Sequence, residues 1–483
     1  MDRQRILEQA RGLLKRSAVE EQKRIVTKLA SLGVDWAEGP KAKGSSARLT
    51  MNAKAEGPSI EAGEMLTVTA SVTNTGKTPL FRVYGVSTSE NPLLRNREFI
   101  FGKVAPGETK SWSVDVKLPQ DMSARADEVT IAIGDMSEAL SDVRASEVVS
   151  IAEEEKPRFT FSAQVNDRKS GNGDGVRQIG ETVELDVNVR NVGDGKAHDA
   201  SVTLKNLSHG LVFLDRGRAI FGELTPQVTS SASLSFSVKQ PSRRWDFGGE
   251  PIDTARAKLR VSVWDAVLGE PVSEVLDIPV VDERQVKRER HGLRIPQGNQ
   301  VSIRSGAHPD TPMIARASGG AVLNSDAIVG DWRRVVLKKG IVGFVESDAV
   351  KELQGPRKNT TGPVAMSSAF SAPAIDLALG DLVTGSSPLR LTGTVHDVEG
   401  VRDVFVFLND KKVYYESFDA LAPSNGKVQA DLNLPLKLKE CSNAEAVVAR
   451  KSDELISRRL YGVYRAPNDA VAERSVQRKT AAQ

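Results

Sequence analysis

The chain has 483 residues, 39% of them hydrophobic and 27% charged, the balance of ordinary globular domains, with room for three or four cores at roughly 150 residues each. Lys and Arg number 66 against 63 Asp and Glu, a formal charge of +3, which lacks the basic excess of a nucleic-acid surface and argues against nucleic acid as a partner. Cys441 is the one cysteine, so an internal disulfide framework and a cysteine-rich zinc cluster are excluded.

Residues 1–40 read as a helical docking segment. Ile6, Ala10, Leu13 and Leu14 share a face, Ile25, Val26, Leu29 and Leu32 continue an apolar stripe, and Gly33 is a natural stop. Acids interleave with the bases, which favours a helix, or helix pair, docked on a neighbouring domain over one lying on a membrane. No stretch has the apolar core of a signal peptide or the length of a membrane span.

From about Leu49 to Val280 the pattern changes to alternation, as in LTVTASVTN, SWSVDVKL, VELDVNVRN, SLSFSV and LRVSVW, bounded by Gly, Pro, Asn and Asp. These are half-buried strands, and they repeat. Glu64 aligns with Glu181 and Asn74 with Asn191 at one shift of 117; Phe101 aligns with Phe221 at 120. Two tandem β-sandwiches follow, over 48–152 and 157–281.

The second copy carries SGNGDGVRQIGE, Ser170 to Glu181. Asn172, Asp174, Gly175 and Glu181 hold the third, fifth, sixth and twelfth places of an EF-hand loop, but Ser170 stands where the first carboxylate belongs. The aligned residues of the first copy, Ala53, Ala55 and Gly57, offer no side-chain oxygen, whereas Gly63-Glu64 matches Gly180-Glu181. The Gly-Glu pair therefore reads as a strand opening in both copies. Two readings stay open: a calcium site formed by Asp167, Asn172 and Asp174 with Glu181 completing it, or a solvated turn whose acids bond nearby backbone N–H groups.

After the charged linker Asp282 to Gly292, residues 293–353 open with IRSG, hold Trp332 in GDWRRVVL and close on GFVESDAV. This stretch resembles the bacterial SH3-like barrel, with Gly343-Phe344 where that family often has Gly-Trp. Trp332 reads as a core or rim residue before it reads as a ligand platform. Residues 354–373, rich in Pro, Gly, Ser and Thr, read as a flexible linker. Alternating strands resume over 374–466, with hairpin signals at NDKK and KSDE, in a pattern that resembles a bacterial Ig-like sandwich. The tail, 467–483, reads as disordered.

His198, His209, His291, His308 and His396 stand singly, with no HExxH. There is no G-x-S-x-G elbow, and no glycine cluster is followed by Lys-Ser/Thr. The sequence therefore predicts no catalytic residue and no enzyme in this chain by itself.

The order of parts, a helix ending LGVDW, two CARDB-like sandwiches with a GNGDG loop, an SH3-like unit and an Ig-like domain with VRDVFVFLNDKKVYY, resembles the non-catalytic region of bacterial carboxyl-terminal processing (tail-specific) serine peptidases. The resemblance implies that a PDZ domain and Ser-Lys dyad would lie upstream of Met1, and that the setting is the periplasm or cell envelope. It implies a mainly β binding scaffold for a protein or peptide partner. The alternatives are a component of an active peptidase, whose catalytic domain docks on residues 1–40, and an adhesin or binder of cell-wall peptide.

Overall fold

The computed structural model describes residues 3–467 apart from 41–45, 56, 58, 136–139, 141, 168–170, 172–175, 243–244, 247, 250, 268–270, 282–285, 310, 312, 338–340, 356–359, 367–369, 379, 398–399 and 419–427. The chain is mainly β. One helix, α1 (Arg3–Ser31), precedes 33 described strands. The expected tail beyond residue 467 lies outside the described residues.

The first sandwich is built from β1 (Ala47–Lys54), β2 (Ile60–Glu61), β3 (Met65–Asn74), β4 (Leu80–Ser89), β5 (Glu98–Val104), β6 (Thr109–Lys117), β7 (Arg125–Gly134) and β8 (Arg144–Ala152). One sheet runs β1-β3-β6; β5, β4, β7, β8 and β2 form the other. Alternation decides which side is inside: Leu66, Val68, Ala70 and Val72 of β3 all point into a core shared with Phe99, Phe101 and Ile131.

The second sandwich repeats the plan with β9 (Phe159–Asn166), β10 (Thr182–Asn191), β11 (Ala197–Asn206), β12 (Val212–Arg216), β13 (Arg218–Leu224), β14 (Thr229–Val238), β15 (Arg256–Asp265) and β16 (Val272–Pro279). Its sheets are β12-β14-β10-β9 and β13-β11-β15-β16. Strands β3 and β10, and likewise β4 and β11, hold the shift of 117 read from the sequence.

The third unit comprises β17 (Val286–Arg294), β18 (Gln300–Arg304), β19 (Met313–Ser318), β20 (Val322–Val329), β21 (Trp332–Val336), β22 (Val342–Glu346), β23 (Lys351–Leu353) and β24 (Val364–Met366). Their order, β23-β17-β20-β21-β22-β18-β19-β24, is open, so in place of the expected closed barrel there is a sheet with two edges. Trp332 is buried with Phe344 and Val329 against Val176 of the second sandwich. It is a core residue at a junction of units.

The fourth unit follows β25 (Phe370–Ser371), with β26 (Ala374–Ala378), β27 (Val383–Thr384), β28 (Leu389–Asp397), β29 (Asp403–Leu408), β30 (Lys411–Ser417), β31 (Val428–Leu436), β32 (Cys441–Arg450) and β33 (Ile456–Arg465). Sheet β26-β28-β31 faces β33-β32-β29-β30 across a core of Val395, Val404, Leu432 and Val447.

Three further expectations change. Residues 286–292 of the charged linker belong to β17, which pairs with β20 and β23; a strand needs backbone partners, and its charges are met by contacts such as Arg333 with Glu289. The flexible linker 354–373 is also partly structured. Within it β24 adds to β19, and β25 adds to β9 with Phe370 against Phe161 at 5.1 Å between ring centroids. Finally, α1 has no domain beneath it among the described residues: Leu13, Leu14, Val19 and Ile25 are exposed. Its exit is anchored, where Lys103 N–H donates to the Asp35 carbonyl (2.7 Å) and Arg82 pairs with Glu38 (2.8 Å).

The fourth unit folds back on both sandwiches. Leu455, in the turn before β33, is buried in the core of the second sandwich, beside the ion pair Arg260–Glu454. Gly462 of β33 pairs in parallel with Arg125 of β7 where β4 ends, its N–H donating to the Ala124 carbonyl (2.9 Å). Truncating Leu455 to Ala should cost about 2–5 kcal/mol in denaturant unfolding, whereas Leu14→Ala on exposed α1 should stay within about 0.5 kcal/mol.

Candidate functional site

Two of the four candidate calcium residues, Asp167 and Glu181, are described and buried; Asn172 and Asp174 lie outside the described residues. Gly171 N–H donates to the Asp167 carbonyl (2.7 Å), and the Glu181 carboxylate lies over Gly171, one oxygen 2.1 Å from where a Cβ would stand. The other Glu181 oxygen accepts from Gln178 N–H (3.0 Å). Glu64 does the same in the first copy, accepting from Glu61 N–H (3.2 Å). Gly63 and Gly180 both take positive φ, 83° and 95°, at the turn before β3 and β10. Glu64 and Glu181 thus make equivalent backbone contacts at the turns that open β3 and β10. Among the described residues, no three His, Cys, Asp or Glu side chains group as a metal site. The loop's Val176 is buried against Trp332, and Val281 N–H donates to the Arg177 carbonyl (2.8 Å), so its second half joins two units.

The other end of each repeated strand carries a second shared device. Buried Asn74 donates to the carbonyls of Thr78 (2.8 Å) and Val104 (3.0 Å) and accepts from Gly76 N–H. Asn191 donates to Gly195 (2.8 Å) and Leu224 (3.0 Å) and accepts from Gly193 N–H. Each amide satisfies backbone groups that water cannot reach. Asn74→Ala and Asn191→Ala should therefore each cost about 1–3 kcal/mol, by similar amounts, in urea unfolding.

A site that sequence reasoning missed lies where the first and fourth units meet. The seam holds a groove of about 750 Å³. From the first sandwich it takes Glu90, Asp121, Met122, Arg125 and Asp127. From the fourth unit come Phe407, Asp410, Lys439, Glu445, Leu460 and Tyr461. Arg125 is committed to Asp127, with two contacts at 2.5 and 2.7 Å, and Asn91 donates to the same carboxylate (3.2 Å). That leaves Glu90, Asp121, Asp410 and Glu445 against Lys439.

Glu445 is the unusual member. Asn443, Glu445, Val447 and Ala449 alternate onto the inward face of β32, and Glu445 stands opposite Tyr461 across the β32–β33 ladder. The two residues are 2% and 5% exposed. The Glu445 carboxylate and the Tyr461 hydroxyl are each other's polar neighbours in this core. Burial pushes the Glu445 carboxyl above its ordinary value, offset only in part by the Tyr461 hydroxyl. Burial first, then the Glu445 charge, pushes the Tyr461 phenol up.

A carboxyl raised by folding adds stability in full below its unfolded value, about 4.3, and that contribution is lost as pH rises through the folded value. Glu445→Gln, neutral throughout, should melt higher than the parent at pH 7. The difference should shrink toward zero in acid, as scanning calorimetry across pH 3–7 would show.

The histidines stay apart, each with its own neighbour: His198 with Glu154 (2.8 Å), His209 with Asp246 (3.5 Å), His291 with Glu352 (2.7 Å), His396 with Asp376 (3.3 Å) and His308 with Arg256. Among the described residues no helix is long and apolar enough to cross a membrane. No family model matches the chain, and no curated protein matches it. A solved structure similar to it is the transglutaminase of red sea bream, at 14% identity and a TM-score of 0.18, covering 49% of this chain and 32% of that one. At that score the likeness assigns neither fold nor function.

Proposed function

We propose that the chain is a binding and scaffolding protein without catalysis of its own, whose β-units are held together to present the seam groove to a protein or peptide partner. The carrying observation is that the groove's walls come from residues 90–127 and 407–462, two units fixed side by side by the β7–β33 contact. A concave site at a junction of units is the usual place for ligand. In this reading the units are CARDB-like, SH3-like and Ig-like modules. Their order supports kinship with the accessory region of tail-specific peptidases and a periplasmic or envelope setting. The exposed leucines of α1 favour a second reading, in which a peptidase catalytic domain docks there.

Peptides selected from a random display library on the whole protein test the first reading. They should lose binding to a Met122→Arg/Leu460→Arg variant that retains the parental unfolding midpoint. Binders indifferent to both substitutions would move the site elsewhere. The second reading requires Leu13→Asp/Leu14→Asp to abolish association with a catalytic polypeptide.

A further inference from the structure

We infer that β13, the free edge of the second sandwich, is a docking site for an extended basic segment of a partner protein, seated there as residues 34–38 of this chain are seated on the matching edge of the first sandwich. The site is separate from the seam groove and does not rest on it.

The first copy shows the site filled. Strands β5 and β13 are repeats of one another, and each ends its sheet, paired on one side only, with β4 and β11. The two ladders slip at the same place, Val83 against Gly102 and Ala200 against Gly222, and both glycines take a φ of 71°. On β5 this bulge carries the segment leaving α1. Lys103 N–H donates to the Asp35 carbonyl (2.7 Å), Val34 is buried over Gly102, and Arg82 donates to the Trp36 carbonyl (3.2 Å) and pairs with Glu38 (2.8 Å). The second copy keeps the backbone without the cover. Nothing lies within 4 Å of the Cβ position of Gly222, so no carbonyl stands where that of Asp35 does. Ile220, Phe221, Gly222 and Glu223 are each more open than Ile100, Phe101, Gly102 and Lys103, and Ile220 is 63% exposed. An uncovered edge with an apolar side chain is what an added chain pairs with.

Charge chooses the occupant. In the first copy, Arg82 and Lys103 meet a segment that carries Asp35 and Glu38. Asp199 and Glu223 hold the aligned places in the second. Glu154 adds a further carboxylate beside His198 (2.8 Å), and Lys196 pairs with Glu223 at the surface (3.1 Å). The polarity is thus reversed. The second edge repels the acidic segment of another copy of this chain and matches lysine or arginine at those two places, behind a branched apolar residue corresponding to Val34.

Fluorescence anisotropy of the full chain with two labelled, capped peptides tests the assignment. One copies residues 33–40, GVDWAEGP; the other has lysine in place of both acids. The lysine peptide should bind at least about tenfold more tightly than the acidic one. An Asp199→Arg/Glu223→Lys variant with the parental unfolding midpoint should reverse that order, and Glu223→Lys alone, on the exposed side of an edge strand, should erase it. Met122→Arg/Leu460→Arg, in the seam groove, should leave it unchanged. Absence of lysine-peptide binding at millimolar concentration, or equal binding of the two peptides, would overturn the proposal and leave the groove reading untouched. Binding lost in the groove variant and kept in Asp199→Arg/Glu223→Lys would overturn it in favour of the groove. In sedimentation of the chain alone, Ile220→Asp should match the parent; a shift to smaller species would make the occupant a second copy and overturn the basic partner.

Discussion

The architecture turns on a main-chain contact that only glycine permits. A Cβ on Gly462 would stand 2.9 Å from Arg125 Cβ and 3.5 Å from its Cα, so β33 can lie against the first residue of β7 only because position 462 has no side chain. Once there, Gly462 N–H finds the Ala124 carbonyl, and the sheet of the first sandwich runs on into that of the fourth unit. Arg125 is turned to its own strand neighbour Asp127, which keeps the guanidinium from filling the gap between the units. Ala126, Tyr464 and Ala466 close a small apolar cluster on one side of the contact. The groove opens beside it. The seam and the site are thus consequences of one close approach.

The second attachment makes that approach durable. The turn that feeds β33 inserts Leu455 into the core of the second sandwich, and Arg459 of the same strand reaches Glu153 at the end of the first (3.3 Å). A strand held at its start by one sandwich and at its middle by the other cannot slide relative to either. This explains why the segment before it is not slack: Phe370 and Ser371 pair with β9, and the Ser457 hydroxyl donates to the Pro373 carbonyl (2.5 Å). Connecting chain that looks polar is here edge strand.

Period-two alternation made most strands legible, because a half-buried strand must alternate, and the repeat was legible because Asn74/Asn191 and Glu64/Glu181 do identical backbone work in both copies. Strand β17 was not, since VKRERHG carries its information in backbone pairing and in Glu289 meeting Arg333, neither of which periodicity registers. The short β24 and β25 escaped for the same reason: edge addition needs N–H and C=O groups, which every sequence has. The groove was illegible as a site because Met122 and Arg125 lie more than three hundred residues from Glu445 and Tyr461. One local signal was available. In NAEAVVA, Glu445 falls on the inward positions shared by Val447 and Ala449, and a charge placed on an apolar face is a mark of function or strain.

Comparison of the two copies separates what the sandwich needs from what assembly needs. Gly102 and Gly222, at the bulge of β5 and its repeat β13, share a φ of 71°, so both are set by the backbone. Around them the copies part. Gly102 also lets the segment leaving α1 approach, with Asp35 O at 2.4 Å from its would-be Cβ, while nothing comes within 4 Å at Gly222, and neighbouring Ile220 is exposed. Conversely, the loop before β10 is longer than its counterpart before β3 and spends Val176 on the cluster around Trp332, a contact for which the first copy has no use. Gly102 in the first copy and Val176 in the second are therefore where one fold, used twice, meets two different sets of neighbours.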